Sequence, residues 1–188
     1  MITTPGNPFP DPISSRFSAH GGSSETNIIE SRIPNDLILG HYITIQKGVT
    51  IGRRTRICNF VNLYGCTIGE ECVIGPFVEV QAHAVIGDQT RIGSHSFVCS
   101  NVTIGQDCFI AHGVMFSNDN FKGRRVHFDA HEWECASVGD HTIIASNVVL
   151  LPVKVGRNCV IGAGAVVTND VPDHAIVWGN PATIQGYR

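Results

Sequence analysis

A parallel β-helix is the fold this sequence predicts. Two observations carry that expectation: an unbroken spacing of six between bulky apolar residues, and glycines directly behind many of them. Ile68, Ile74, Val80, Ile86, Ile92, Val98, Ile104, Ile110 and Phe116 keep the interval across the middle of the chain, with Gly69, Gly75, Gly87, Gly93 and Gly105 following. A period of six is neither the 3.6 of a helix nor the alternation of a strand, so it marks a repeat unit. Each unit reads as one short strand and one turn, the aliphatic residue pointing inward and the glycine allowing the tight corner.

The elements follow in order. Residues 1–36 carry Pro5, Pro8, Pro10, Pro12, Gly21, Gly22 and a serine-rich patch without hexad register, and read as a mobile or loosely docked leader. From residue 37 the chain reads as one β-helix domain. Hexads start at Leu39 and continue through Ile45, Ile51, Ile57 and Leu63; a five-residue step near Tyr64-Gly65-Cys66 leads to Ile68. After Phe116 the register breaks over 117–137, an inserted loop of a length that usually serves function. It resumes at Val138, Ile144 and Leu150, takes another five-residue step to Val155, and ends with Ile161 and Val167. Residues 173–188 have no hexads and read as a cap over the last unpaired edge.

Composition narrows the function. With 188 residues, 43% hydrophobic and 15% charged, the chain can bury a core of its own. Its net charge of −3 gives no basic footprint for nucleic acid. No apolar run is long enough to span a membrane and the start lacks signal-peptide anatomy, so the expected location is the cytoplasm. The seven cysteines form no CxxC pair, and Cys58, Cys66, Cys72, Cys99, Cys108 and Cys159 fall in or beside repeat units, where they read as small buried side chains. No metal site is expected.

The hexads resemble those of the hexapeptide-repeat acyltransferases, whose left-handed β-helix takes three hexads per triangular coil. The resemblance implies that residues eighteen apart stack at roughly 4.8 Å. By that rule His83, Asn101 and Asp119, each three places behind an inward aliphatic, share one corner. A histidine above an amide and a carboxylate can accept a proton and orient an attacking group, although polar side chains are common at turns in any case. His95 and His112 are separate turn histidines with the same two readings. In the inserted loop, Arg124 and Arg125 suit a diphosphate because the guanidinium fork pairs with phosphate oxygens.

Two stretches carry a more specific likeness. VGDHTIIASNVVLLPVKVGRNCVIGAGAVVTNDVPDHAIVWGNPA resembles the acetyl-coenzyme A end of hexapeptide acetyltransferases, in which the pantetheine arm lies between subunits of a trimer. That likeness implies acetyl-coenzyme A as co-substrate, a homotrimer, and cofactor contacts from Ser146, Asn147, Ala163, Asn180, Pro181 and Ala182. The glycine usual in that family after the proline matching Pro152 is replaced by Val153. CNFVNLYGCTIG, FVEVQAHAVIG, SHSFVCSNVTIG and HGVMFSNDNF are similar to the branch that acetylates amino groups of nucleotide-linked sugars, notably 3-amino sugars for surface polysaccharide. That resemblance implies catalytic roles for His83, Asn118 and Asp119, while Asn101, His95, Arg124 and Arg125 are the residues' own candidates for holding the sugar nucleotide. The residues leave open a sugar O-acetyltransferase and a non-catalytic assembly module. A γ-type carbonic anhydrase needs a closer histidine pair than the ladder offers.

Overall fold

The computed structural model describes residues 26–119 and 133–188. Within them the hexad aliphatics sit on two-residue strands and point inward: Ile45, Ile57, Leu63, Ile74, Ile110, Ile144 and Leu150 are sealed from solvent. Each short strand can hydrogen-bond only to the coil above and the coil below, so the molecule is a stack in which one aliphatic column per face fills the interior. Three sheets of eight, six and nine strands, parallel except for the last strand of the nine, form the three faces of a left-handed β-helix of about eight turns. We call the face of Glu79–Val80 and Phe97–Val98 the first, that of Val85–Ile86 the second, and that of Val73–Ile74 and Arg91–Ile92 the third.

Register follows the expected arithmetic. Val85 pairs with Thr67 above and Thr103 below, eighteen residues away in each direction. Where a five-residue step intervenes the offset falls to seventeen, as in Thr50 with Thr67 and Ser137 with Lys154. Thr103 pairs with Ser137, an offset of 34 against the usual eighteen, so the ladder continues across an insertion of sixteen residues.

The glycines do a different job from the one expected. None of Gly69, Gly75, Gly87, Gly93 and Gly105 has a positive φ; the left-handed turn position is taken by Glu71, Phe77, Gln89, His95 and Asp107, with φ between 50° and 60°. Glycine is required for close approach instead. A Cβ on Gly87 would stand 2.6 Å from the Gln106 nitrogen and the Gly105 carbonyl carbon of the next coil.

Five of the six cysteines read as core are buried, and the sixth, Cys58, is half-buried. Cys66, Cys72, Cys99, Cys108 and Cys159 are buried, and only Cys135 is exposed. Cys72, Cys108 and Cys159 alternate down one inner column with Thr55, Thr90 and Thr142. Each threonine hydroxyl donates to a glycine carbonyl, as Thr90 does to Gly105 at 2.8 Å, and accepts from the cysteine amide below, here Cys108 at 3.0 Å. These buried polar groups are therefore satisfied inside the solenoid.

Coiling begins before residue 37. Asn27–Ile28 pairs in parallel with Thr44–Ile45, and Arg32 bridges to Thr50, so the boundary expected at residue 36 falls within a first partial coil. At the other end Ala175–Gly179 extends the third face and folds back on Ala182–Tyr187 as an antiparallel hairpin. Among the described residues no helix is long and apolar enough to cross a membrane.

Candidate active site

Successive hexads turn the three corners in rotation, so function depends on which corner a residue occupies. The corner between the first and second faces carries the expected catalytic residues. His83 and Asn101 hold the left-handed position of consecutive coils, with φ of 63° and 65°. The His83 amide donates to the Gly65 carbonyl at 3.0 Å, and the Asn101 amide to the Ala82 carbonyl at 3.2 Å. Asn118 and Asp119 follow on the next coil, where the turn closes locally: the Ser117 hydroxyl donates to the Asp119 carbonyl at 2.8 Å and accepts from the Asp119 amide at 3.3 Å. The loop returns beside them, with the Glu134 amide on the Asn118 carbonyl at 3.1 Å. Arg124 and Arg125 lie outside the described residues.

The same corner holds polar groups that hexad reasoning passed over. The Gln81 amide donates to Glu79 at 3.1 Å, and Ser100 donates to Gln81 at 3.4 Å. Burial, and secondarily the Glu79 carboxylate, push the Tyr64 hydroxyl above its ordinary range. Tyr64 and Gln81 both directly follow an inward aliphatic, Leu63 and Val80, on paired strands; that shared offset was the signal available in the sequence.

His95 does not join this group. It is twelve residues from His83, two corners out of three, and sits between the third and first faces. There it ends a ladder of stacked rings on four successive coils. Tyr42 and Phe60 have centroids 5.1 Å apart, Phe60 and Phe77 4.9 Å, and Phe77 and His95 4.8 Å, all within 6° of parallel. Tyr42, Phe60 and Phe77 nonetheless remain 51%, 43% and 50% exposed, so the ladder stands outward from the corner. The spacing 42, 60, 77, 95 announces it once the five-residue step is allowed for.

Ser146, Asn147 and Ala163 lie farther down that second corner. The Asn147 amide donates to the His112 carbonyl at 2.9 Å, and the Gly164 amide to the Ser146 carbonyl at 2.9 Å, so His112, Ser146 and Ala163 stack in one file. His112 has a structural task here: its Nδ1 accepts the Ser94 amide at 3.2 Å, with the Ser94 hydroxyl at 2.9 Å. A backbone N–H can only donate, so the neutral ring carries its proton on Nε2. Asn59, Asp88 and Asp140 cap the coil above them in the same way.

The hairpin tip comes off the same edge. Val177 pairs with Ile161, so Trp178 lies beneath Gly162, where an added Cβ would be 2.7 Å from the Trp178 Cβ. Asn180 and Pro181 form the exposed turn that follows, and Ala182 begins the return strand. The six cofactor candidates thus converge on one edge of the prism, together with His95, while His83, Asn101, Asn118 and Asp119 occupy another. The third corner differs again, with Arg54 bound to Glu71 and Arg157 to Asp173 in exposed ion pairs, and the His141 Nδ1 3.0 Å from the Asp107 carboxylate. Among the described residues no cluster of three His, Cys, Asp or Glu side chains could hold a metal ion.

Comparison with known proteins adds a lineage to this geometry. The family model described as bacterial transferase hexapeptide (six repeats) matches residues 65–100 and 83–118, and that of the hexapeptide repeat of succinyl-transferase matches 136–169. Bifunctional protein GlmU of Alkalilimnicola ehrlichii is 32% identical over 156 residues, which is 77% of this chain and 33% of GlmU. The dTDP-3-amino-3,6-dideoxy-alpha-D-galactopyranose 3-N-acetyltransferase of Aneurinibacillus thermoaerophilus is 42% identical over 52 residues, 28% of this chain and 24% of that enzyme. The chain spans about a third or less of the length of these curated relatives. Among solved structures, the polySia specific acetyltransferase NeuO superposes with a TM-score of 0.56 at 26% identity, covering 86% of this chain and 82% of NeuO. The polysialic acid O-acetyltransferase OatWY shares the fold, with a TM-score of 0.62 at 18% identity over 86% and 85% of the two chains.

Proposed function

Given that this chain belongs to the hexapeptide-repeat family of bacterial transferases, we propose that it moves an acetyl group from acetyl-coenzyme A to the amino group of a nucleotide-diphosphate-linked amino sugar. The observation that carries this reading is the convergence of Ser146, Asn147, Ala163 and the 180–182 turn on one edge. Such an edge can hold an extended pantetheine arm along successive coils. The amino-sugar assignment draws on the 52-residue likeness to a dTDP-amino-sugar N-acetyltransferase.

The chemistry is direct transfer. The free amine attacks the thioester carbonyl, a C–N bond forms as the C–S bond breaks, and coenzyme A leaves as the thiol. The amine proton passes to His83 or to the departing sulfur, with Asn118 and Asp119 orienting the nucleophile. Because the sulfur can take the proton, His83→Ala slows turnover only modestly. In an O-acetyltransferase the hydroxyl needs a true base, and the same substitution abolishes the reaction.

The catalytic and cofactor candidates lie on different edges of one chain, so a site that uses both takes one edge from each of two copies. That requirement supports the homotrimer. The deciding experiment is thiol release from acetyl-coenzyme A with uridine- and thymidine-diphosphate sugars bearing an amine at carbon 3 or 4, and with their hydroxyl counterparts. Release with an amino sugar alone is the expected result; release only with hydroxyl sugars makes it an O-acetyltransferase, and silence without coenzyme A binding leaves the assembly module.

A further inference from the structure

The ring ladder stops at a position that carries no side chain of its own. Below His95 the equivalent position is Gly113, with φ +65° and no side chain, and below that is Asn147, φ 58°. His95 and Asn147 are therefore separated by two coil rises, about 9.6 Å. One planar ring inserted midway would sit at the ladder's own spacing of 4.8–5.1 Å, within the range at which aromatic groups stack. The Asn147 side chain reaches up into this gap, its Oδ1 lying 2.6 Å from where a Gly113 Cβ would be. His112 stands beside it with Nδ1 occupied by Ser94, which leaves Nε2–H as a donor at the rim. A flat ceiling, an amide floor and a lateral donor are suited to a heteroaromatic ring with polar edge atoms.

The geometry points to a nucleobase-binding slot between His95 and Asn147, opened by Gly113, on the edge that also carries the cofactor candidates. This deepens the proposed function and rests on it, because both of that reaction's substrates bear a base: adenine in coenzyme A, a pyrimidine in the sugar nucleotide. Stacking holds the ring and is tolerant of which base it is; the Asn147 amide and His112 Nε2–H read its edge.

Gly113→Phe tests the slot by filling it. The same column already holds Tyr42, Phe60 and Phe77 at φ 56–60°, so the backbone accepts an aromatic residue, and only the movable Asn147 side chain must yield. Binding of coenzyme A, 4′-phosphopantetheine, uridine diphosphate and thymidine diphosphate is measured by calorimetry on wild type, Gly113→Phe and His95→Ala, with melting temperatures alongside. We expect Gly113→Phe to melt no lower than wild type and to lose at least tenfold in affinity for one base-bearing ligand, with a several-fold loss in His95→Ala. Loss for coenzyme A with 4′-phosphopantetheine unchanged assigns the slot to adenine; loss for the nucleoside diphosphates assigns it to the acceptor. Unchanged affinities in both variants, or no binding of either base by wild type, overturn the slot. Should Gly113→Phe fold poorly, His95→Ala decides alone. Turnover with unchanged KM in both variants sinks the slot and spares the proposed function, whereas base binding that the variants abolish, without any acetyl transfer, does the reverse.

Discussion

Cys66 and Cys99 show what a buried residue contributes to this fold beyond volume. Burial pushes both thiols up to about 12, against an ordinary value near 9.0, so in the folded chain they stay protonated where an unfolded chain would ionise them. A thiol whose folded pKa is raised contributes stability that is complete below the unfolded value and is lost as pH rises towards the folded one. The protein should therefore lose resistance to urea between about pH 9 and pH 12, and Cys66→Ala and Cys99→Ala should each show a shallower decline over that range than wild type. Identical slopes in all three would mean that these thiols play no part. The sequence pointed to this role, because six cysteines fell inside or beside the repeats. The hydrogen-bonded Thr–Cys alternation did not stand out, since it requires knowing that Thr55, Cys72, Thr90 and Cys108 share one column across the five-residue step.

The hexad is the element, and its glycine explains both what the sequence revealed and what it hid. Inward aliphatics, five-residue steps and the insertion after Phe116 were legible because hydrophobic burial writes them as a period. The reason for the glycines was not, since a close approach between coils leaves the same residue as a left-handed turn does. Gly87→Ala separates the two causes. If φ were the constraint, alanine would cost little at a position whose φ is not positive; with backbone atoms of the next coil 2.6 Å from the new Cβ, it forces neighbouring coils apart. The expected loss is about 1–3 kcal/mol in chemical denaturation, the usual range for overpacking a rigid interior. A loss below about 0.5 kcal/mol would mean that the close approach between coils does not constrain this position. The aromatic ladder was hidden in a different way: no single hexad contains it, and only the eighteen-residue comparison corrected for one dropped residue lines up Tyr42, Phe60, Phe77 and His95.

At the scale of the whole molecule, the three corners divide the chemistry. One carries His83, Asn101, Asn118 and Asp119, one carries the ring ladder and the cofactor candidates, and one carries ion pairs. Sequence spacing alone separates the first two, because His95 lies twelve residues from His83 and twelve is not a multiple of eighteen. What spacing could not give is that all six cofactor candidates fall on a single edge, since that depends on how the terminal hairpin leaves the third face. A rigid prism cannot bring two of its own edges together, so a site drawing on both is completed by a neighbouring copy. This has a consequence that a one-chain site does not share. Asp119→Ala damages one edge and Asn147→Phe obstructs the other, and each variant alone should be nearly inactive. When the two are unfolded together and co-refolded, mixed oligomers should hold some sites built from an intact edge of each parent, and activity should rise well above that of either variant refolded alone. Persistent inactivity of the mixture, with mixed oligomers demonstrated by differently tagged chains, would place the whole site on one chain and remove the argument for a shared one.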